Sequence, residues 1–145
     1  MNTSQSLYSR LGGEMVLREF IDNLYRFMDD FPAVEKVRNM HPYDLTDTQD
    51  RLFKYLSGML GGPPLYIEEF WQPYVKQDYT HTHLAMCNQE RDQWLFCAEN
   101  AANQLKIDPF IRKDLMSMVT AMTNDFRNNE EMLSKANGWK SAAVN

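Results

Sequence analysis

Leu56-Ser57-Gly58-Met59-Leu60-Gly61-Gly62-Pro63-Pro64-Leu65-Tyr66 contains the firmest stop signal in the chain. Glycine admits backbone conformations closed to other residues, and proline cannot continue a helix, so a helix entering at Leu56 ends by Gly61. The paired glycines also let the next segment leave sharply through a very short connection. Upstream, Thr46-Asp47-Thr48-Gln49 has the capping-box pattern, with Gln three residues after Thr, and predicts a helix start. That helix carries Leu52, Phe53, Leu56 and Met59. Downstream, Leu65 to Tyr79 is less regular. It holds a short helix at most, with Tyr66, Phe70, Trp71 and Tyr74 as apolar anchors and Pro73 as an interruption.

Working outward, a short first segment from Ser4 to Leu11 stops at Gly12-Gly13. From Glu14 to about Asp30, Leu17, Phe20, Ile21, Leu24, Tyr25 and Met28 recur at helical spacing and predict an amphipathic helix. Phe31-Pro32 breaks it, and Pro32 suits the first position of a short helix reaching about Asn39. Met40-His41-Pro42-Tyr43 then reads as a connection. On the far side, Asn88 caps a helix to about Leu105 whose inward face is Trp94, Cys97, Ala98, Ala101 and Leu105. Asp108-Pro109 is a cap followed by proline at the first helical position. The last helix carries Ile111, Leu115, Met118, Val119, Met122 and Phe126. No hairpin signal, alternating strand or repeat occurs, so the class is all-α. Residues 1–130 form one domain on this reading, and residues 131–145 a polar, mobile tail.

A chain of 145 residues is one domain, and 43% hydrophobic against 24% charged residues makes it globular. The 12% aromatic content and 10 Met suit either an ordinary core or the lining of an apolar cavity. A formal net charge of -5 with no Lys/Arg run argues against a nucleic-acid binder. No apolar run approaches the roughly 18–20 residues that span a bilayer. Met1 to Arg10 lacks a signal-peptide core, so the expected location is the cytoplasm. Cys87 and Cys97 fit no zinc or redox spacing and read as reduced thiols, with Cys97 facing the core.

His41, His81 and His83 are the histidines. Neutral imidazole ligates haem iron, and His81 stands in the irregular stretch before a well-formed helix, where it can reach a cofactor lying between helix pairs. Taken alone, His81 and His83 read first as exposed loop histidines, and with His41 as a zinc set lacking the usual spacing. Tyr25 reads as a core tyrosine or as a hydroxyl aimed into a cavity. Trp94 reads as packing or as a donor-only indole suited to a bound oxygen atom. Arg51 is a solvated charge or the partner of a carboxylate.

Several segments together resemble the group II truncated haemoglobins over Leu7 to Phe126. Leu7-Tyr8-Ser9-Arg10-Leu11-Gly12-Gly13 is similar to the family's opening, and Leu24-Tyr25-Arg26-Phe27-Met28 to the segment with its distal tyrosine. Met40-His41-Pro42-Tyr43-Asp44-Leu45 resembles the corner that places Tyr, Phe or His over the haem. Leu56 to Tyr66 is the most specific match, and Glu90-Arg91-Asp92-Gln93-Trp94-Leu95 resembles the segment with the group II tryptophan. The resemblance implies a compact two-over-two helical sandwich, Glu14–Asp30 with Asp47–Leu60 and Asn88–Leu105 with Asp108–Phe126, around one haem b (iron protoporphyrin IX).

Counting back from Trp94, the resemblance puts the proximal iron ligand on His81 rather than His83. Tyr25, His41 and Trp94 become a distal cage of three donors, and in a contracted empty site His41 or Tyr25 would ligate the iron directly. Thr48 and Leu52 face the distal side, Tyr55 packs on the haem from the same helix, Tyr66 belongs to the signature that lines it, and Arg51 pairs with a propionate. Trp71-Gln72-Pro73 stands where the family often has Gly-His-Pro, Thr80 where it usually has Arg, and Thr82-His83-Leu84-Ala85-Met86-Cys87 where it is rich in Pro and Phe. These departures alter the proximal hydrogen bonds and propionate contacts while leaving the ligand. The implied ligands are dioxygen, carbon monoxide, nitric oxide or peroxide. The implied role is nitric oxide or peroxide detoxification with an electron donor, rather than bulk oxygen transport. A haem-based redox partner or ligand sensor, and a cofactor-free helical interaction module, are the other classes.

Overall fold

The computed structural model describes residues 5–70 and 88–136, with Phe70, Asn88 and residues 125–136 described by backbone alone. His81, His83, Cys87, Trp71 and Tyr74 lie outside the described residues. The described residues form helices and no strand. In chain order these are α1 (Leu7–Leu11), α2 (Gly13–Asp30), a 3₁₀ turn (Pro32–Val34), α3 (Glu35–Asn39), α4 (Thr46–Met59), α5 (Leu65–Phe70), α6 (Asn88–Asn103) and α7 (Pro109–Ala136).

The core follows from the helical period. Leu17, Phe20, Ile21, Leu24, Tyr25 and Met28 of α2 are buried, as are Leu52, Phe53 and Leu56 of α4. On α6 the inward stripe is Trp94, Cys97, Ala98, Ala101 and Ala102, continued by Leu105 just past the helix end. Leu115, Val119 and Met122 line the matching face of α7. The helix α2 packs on both α4 and α6, and α6 packs on α7. The Arg18 guanidinium lies 3.8 Å from the Phe53 ring centroid, where its stem and charge cover the seam between α2 and α4.

Helix ends are satisfied by side chains reaching across connections. Asp108 Oδ1 accepts from the Phe110 N–H at 2.7 Å, as an N-cap aspartate should. Arg112 turns back on the end of α6 and donates to the carbonyls of Ala102, Leu105 and Ile107 at 3.2, 3.1 and 3.3 Å. Ala102 is in the last turn of α6 and Leu105 and Ile107 are in the connection to α7, so one guanidinium braces the whole link between the two helices. Arg10 pairs with Asp114 at 2.6 Å, tying α1 to α7.

Three boundaries depart from the sequence reading. The capping box at Thr46 does not form, because Thr46 is already helical. Asp44 Oδ1, two residues upstream, accepts from the Thr46 N–H at 2.9 Å instead, and these hydrogen bonds lower the Asp44 pKa. The helix α1 starts at Leu7 with Ser6 as its cap, rather than at Ser4. Finally, α7 runs past Phe126 and through residue 130 to Ala136. No glycine or proline interrupts that stretch, and Glu130, Glu131, Met132, Leu133, Lys135 and Ala136 all favour helix.

The turn after α4 is held closely against α1. Tyr8 N–H donates to Leu60 O at 2.9 Å, Gly62 N–H to Ser57 O at 2.7 Å, and Ser57 Oγ to Pro63 O at 2.8 Å. Gly61 has φ +92°, and a Cβ there would lie 2.7 Å from that of Ser6. On Gly62 a Cβ would meet the Tyr8 ring at 2.5 Å. Gly61→Ala should therefore cost about 1–3 kcal/mol in urea denaturation, from backbone strain and the clash together. Cys97 offers a second check. Burial raises its thiol pKa from 9.0 to about 11, so the folded state keeps the proton after the unfolded chain has lost it. The resulting stabilisation is complete below about pH 9 and is lost as pH rises toward 11. Melting temperatures of Cys97→Ala should accordingly fall less than wild type between pH 8 and 11.

Candidate functional site

Tyr25 sits on the buried face of α2, only 2% exposed. His41 follows the five-residue α3, and its ring meets that of Tyr25 edge-on, with centroids 5.7 Å apart and planes at 77°. His41 Nδ1 lies 2.8 Å from Val37 O. A carbonyl can only accept, so Nδ1 carries a proton, and the other ring nitrogen, Nε2, is buried.

Trp94 lies on α6, is 4% exposed, and belongs to the same apolar cluster as Tyr25 and Leu52. Its neighbour Gln93 reaches α3, where Oε1 accepts from the Val37 N–H at 3.1 Å. Val37 is thus held at both ends of its backbone, through N–H by α6 and through C=O by His41. Lys36 adds contacts to α6 at Gln89 (2.9 Å) and Glu90 (3.4 Å). Arg38 closes the corner from the other side. Its Nε pairs with Asp29 of α2 at 2.5 Å, while Nη1 and Nη2 donate to Pro42 O and Tyr43 O, each at 3.0 Å.

The helix α4 provides a second wall. Thr48, Arg51, Leu52 and Tyr55 recur at helical spacing and share one face. Leu52 is buried and the other three are half-buried. Tyr66, buried on α5, meets Tyr55 edge-on with centroids 6.1 Å apart and planes at 88°. Lys54 bridges Asp50 and Glu69, which ties α5 to α4 and raises the Lys54 pKa.

The structure therefore brings Tyr25 and His41 into contact, pairs Tyr55 with Tyr66, and buries Trp94 in the cluster that holds Tyr25. His81 and the alternative ligand His83 lie outside the described residues. Val37, Arg38 and Gln93 were not singled out from the sequence. Only two signals pointed to them: an amide side chain beside Trp94, and an arginine just ahead of a proline-containing corner whose carbonyls need donors. An open groove between α6 and α7, lined by Glu99, Arg112, Met116 and Thr120 among others, includes none of the site residues. No helix among the described residues is long and apolar enough to cross a membrane.

Comparison with known proteins gives this arrangement a family. The model of the bacterial-like globins matches residues 6–128. A group 2 truncated hemoglobin of Bacillus subtilis is 29% identical over 119 residues, covering 82% of this chain and 86% of that protein. A group II 2-on-2 hemoglobin from the plant pathogen Agrobacterium tumefaciens superposes with a TM-score of 0.79 at 28% identity, covering 87% of this chain and 96% of that one. A truncated oxygen-avid haemoglobin from Bacillus subtilis superposes at 0.73 with 27% identity, covering 84% and 98%. This chain belongs to the bacterial-like globin family, which binds haem and small ligands, and it is similar to the group II truncated haemoglobins, whose 2-on-2 helical fold it shares.

Proposed function

We propose that the chain holds one haem b through His81 as proximal iron ligand and engages diatomic ligands or peroxide on the side lined by Tyr25, His41 and Trp94. The reading rests above all on the buried edge contact of Tyr25 with a His41 ring whose tautomer is set by Val37. The donor set fits the group. An apolar wall of Leu52, Tyr55 and Tyr66 suits a flat macrocycle, and Arg51 on the same helix suits a propionate. Bound haem supplies an iron centre that takes small ligands and exchanges electrons.

The chain's own residues then decide what becomes of the ligand. The Tyr25 O–H and Trp94 N–H donate to partial negative charge on a ligand oxygen, in a setting where water does not compete. His41 Nε2 holds a lone pair beside them and can take the proton of a hydroperoxide. Two donors and a base suit ligand chemistry better than rapid release. The role is therefore nitric oxide or peroxide detoxification with an external electron donor. That a solved relative from Bacillus subtilis is oxygen-avid accords with a strongly holding distal side.

The first test is the absorption spectrum of the purified protein, ferric and ferrous, with and without carbon monoxide, for wild type and His81→Ala. A Soret band that shifts with carbon monoxide and is lost or altered without His81 is the expected outcome. A protein that stays colourless when supplied with haem would instead mark a helical interaction module. Trp94→Phe should speed oxygen release about tenfold, as expected for one lost hydrogen bond. An unchanged rate would remove the indole from the site. Turnover of nitric oxide or peroxide with a reductant is the expected activity. Ligand binding without turnover would point to a sensor or redox partner.

A further inference from the structure

We infer that Gln93 and Arg38 are positioning residues that set the place and tautomer of His41, and that Gln93 does so through the peptide of Val37. The inference deepens the proposed function and rests on its placing His41 beside the ligand. A helix as short as α3 gains little from its own hydrogen bonds and takes its position from what grips it. Val37 N–H belongs to the first turn of α3, whose N–H groups have no partner within that helix, and Gln93 Oε1 takes it at 3.1 Å. The carbonyl of the same residue takes the His41 Nδ1–H at 2.8 Å. The imidazole is thus hung from α6 by two hydrogen bonds in series, one residue before Trp94 on that helix. The two polar groups contributed by α3 and α6 consequently move as one body.

Arg38 fixes the remaining freedom. Backbone hydrogen bonds brace the corner after α3 as far as His41, whose N–H donates to Arg38 O at 3.0 Å, but Pro42 beyond it cannot donate. The Arg38 fork holds the Pro42 and Tyr43 carbonyls, and its charge is balanced by Asp29 at the end of α2, the helix that carries Tyr25. Lysine cannot reproduce that fork. Thus α2 steers the corner through Arg38, and α6 steers the ring through Gln93.

The test is a double-mutant cycle on the haem-loaded protein, reading carbon monoxide release and the ¹⁵N shifts of His41 in the diamagnetic ferrous carbon monoxide form. If Gln93 acts through His41, Gln93→Leu should change the release rate in the same direction as His41→Ala, by about tenfold or less, and should change nothing further in the His41→Ala background. Gln93→Glu keeps an acceptor for the Val37 N–H and should restore the wild-type rate. The Nδ1–H signature of His41 should weaken in Gln93→Leu and return in Gln93→Glu. Arg38→Lys should reproduce the Gln93→Leu behaviour more weakly, and it serves the same comparison if Gln93→Leu does not fold. Additive effects of Gln93→Leu and His41→Ala, or an unchanged His41 signature, would overturn the positioning role alone. An unchanged rate in His41→Ala itself would overturn the underlying placement of His41, and this proposal with it.

Discussion

The close approach of α2 and α6 is the constraint on which the other contacts depend. The helices pack together, and large side chains of α2 (Leu17, Phe20, Ile21 and Leu24) share one core with a stripe of small ones on α6 (Cys97, Ala98, Ala101 and Ala102), all at or near zero exposure. Large against small lets the helices interdigitate at the density of an organic solid. Each large side chain withdrawn from water contributes about 1.5–3 kcal/mol. Once this pair is seated, α4 closes against the free side of α2 and α7 against the free side of α6. Tyr25 and Trp94 ride on the two helices of the pair, so the packing that stabilises the chain also sets the buried wall on which these two side chains stand.

Polar groups on such a wall are costly unless each is engaged. The structure meets the cost with hydrogen bonds that cross between elements. Val37 shows how economical the solution is, because one peptide group both anchors a short helix to α6 and orients an imidazole. The same bond determines chemistry. A histidine that gives its Nδ1 proton to a carbonyl has that nitrogen committed, which leaves Nε2 as the one turned to its other surroundings. Residue type alone leaves that choice open, and only the position of a backbone oxygen closes it.

Much of the fold was legible along the chain. The inward faces of α2, α4, α6 and α7 are at the spacings read from the sequence, since a period near 3.6 residues is a local property. The Asp108-Pro109 start and the glycine-proline stop after α4 are equally local, because they depend on dihedral limits of single residues. The capping pattern at Thr46 misled because such patterns compete. Asp44 stood two residues earlier with a better-placed carboxylate, and the helix took it. The helix α7 continues past Phe126 because the polar stretch to Ala136 holds no glycine or proline, and polarity marks exposure rather than the end of a helix.

What the sequence determined by itself is an all-helical chain with known stops and a short roster of groups able to do chemistry: Tyr25, His41, Trp94, Arg51 and the histidines of the stretch before α6. What only the tertiary structure decided is which of these meet and in what state. Tyr25 and His41 are sixteen residues apart by their numbering, and nothing in either segment requires their rings to touch. The contact exists because α3 is short enough to be placed by its neighbours, and those neighbours, Asp29 on α2 and Gln93 on α6, lie on opposite sides of it in the sequence. Local periodicity can report which way a side chain faces. It cannot report which distant carbonyl will claim a proton, because that depends on the simultaneous packing of helices far apart in sequence.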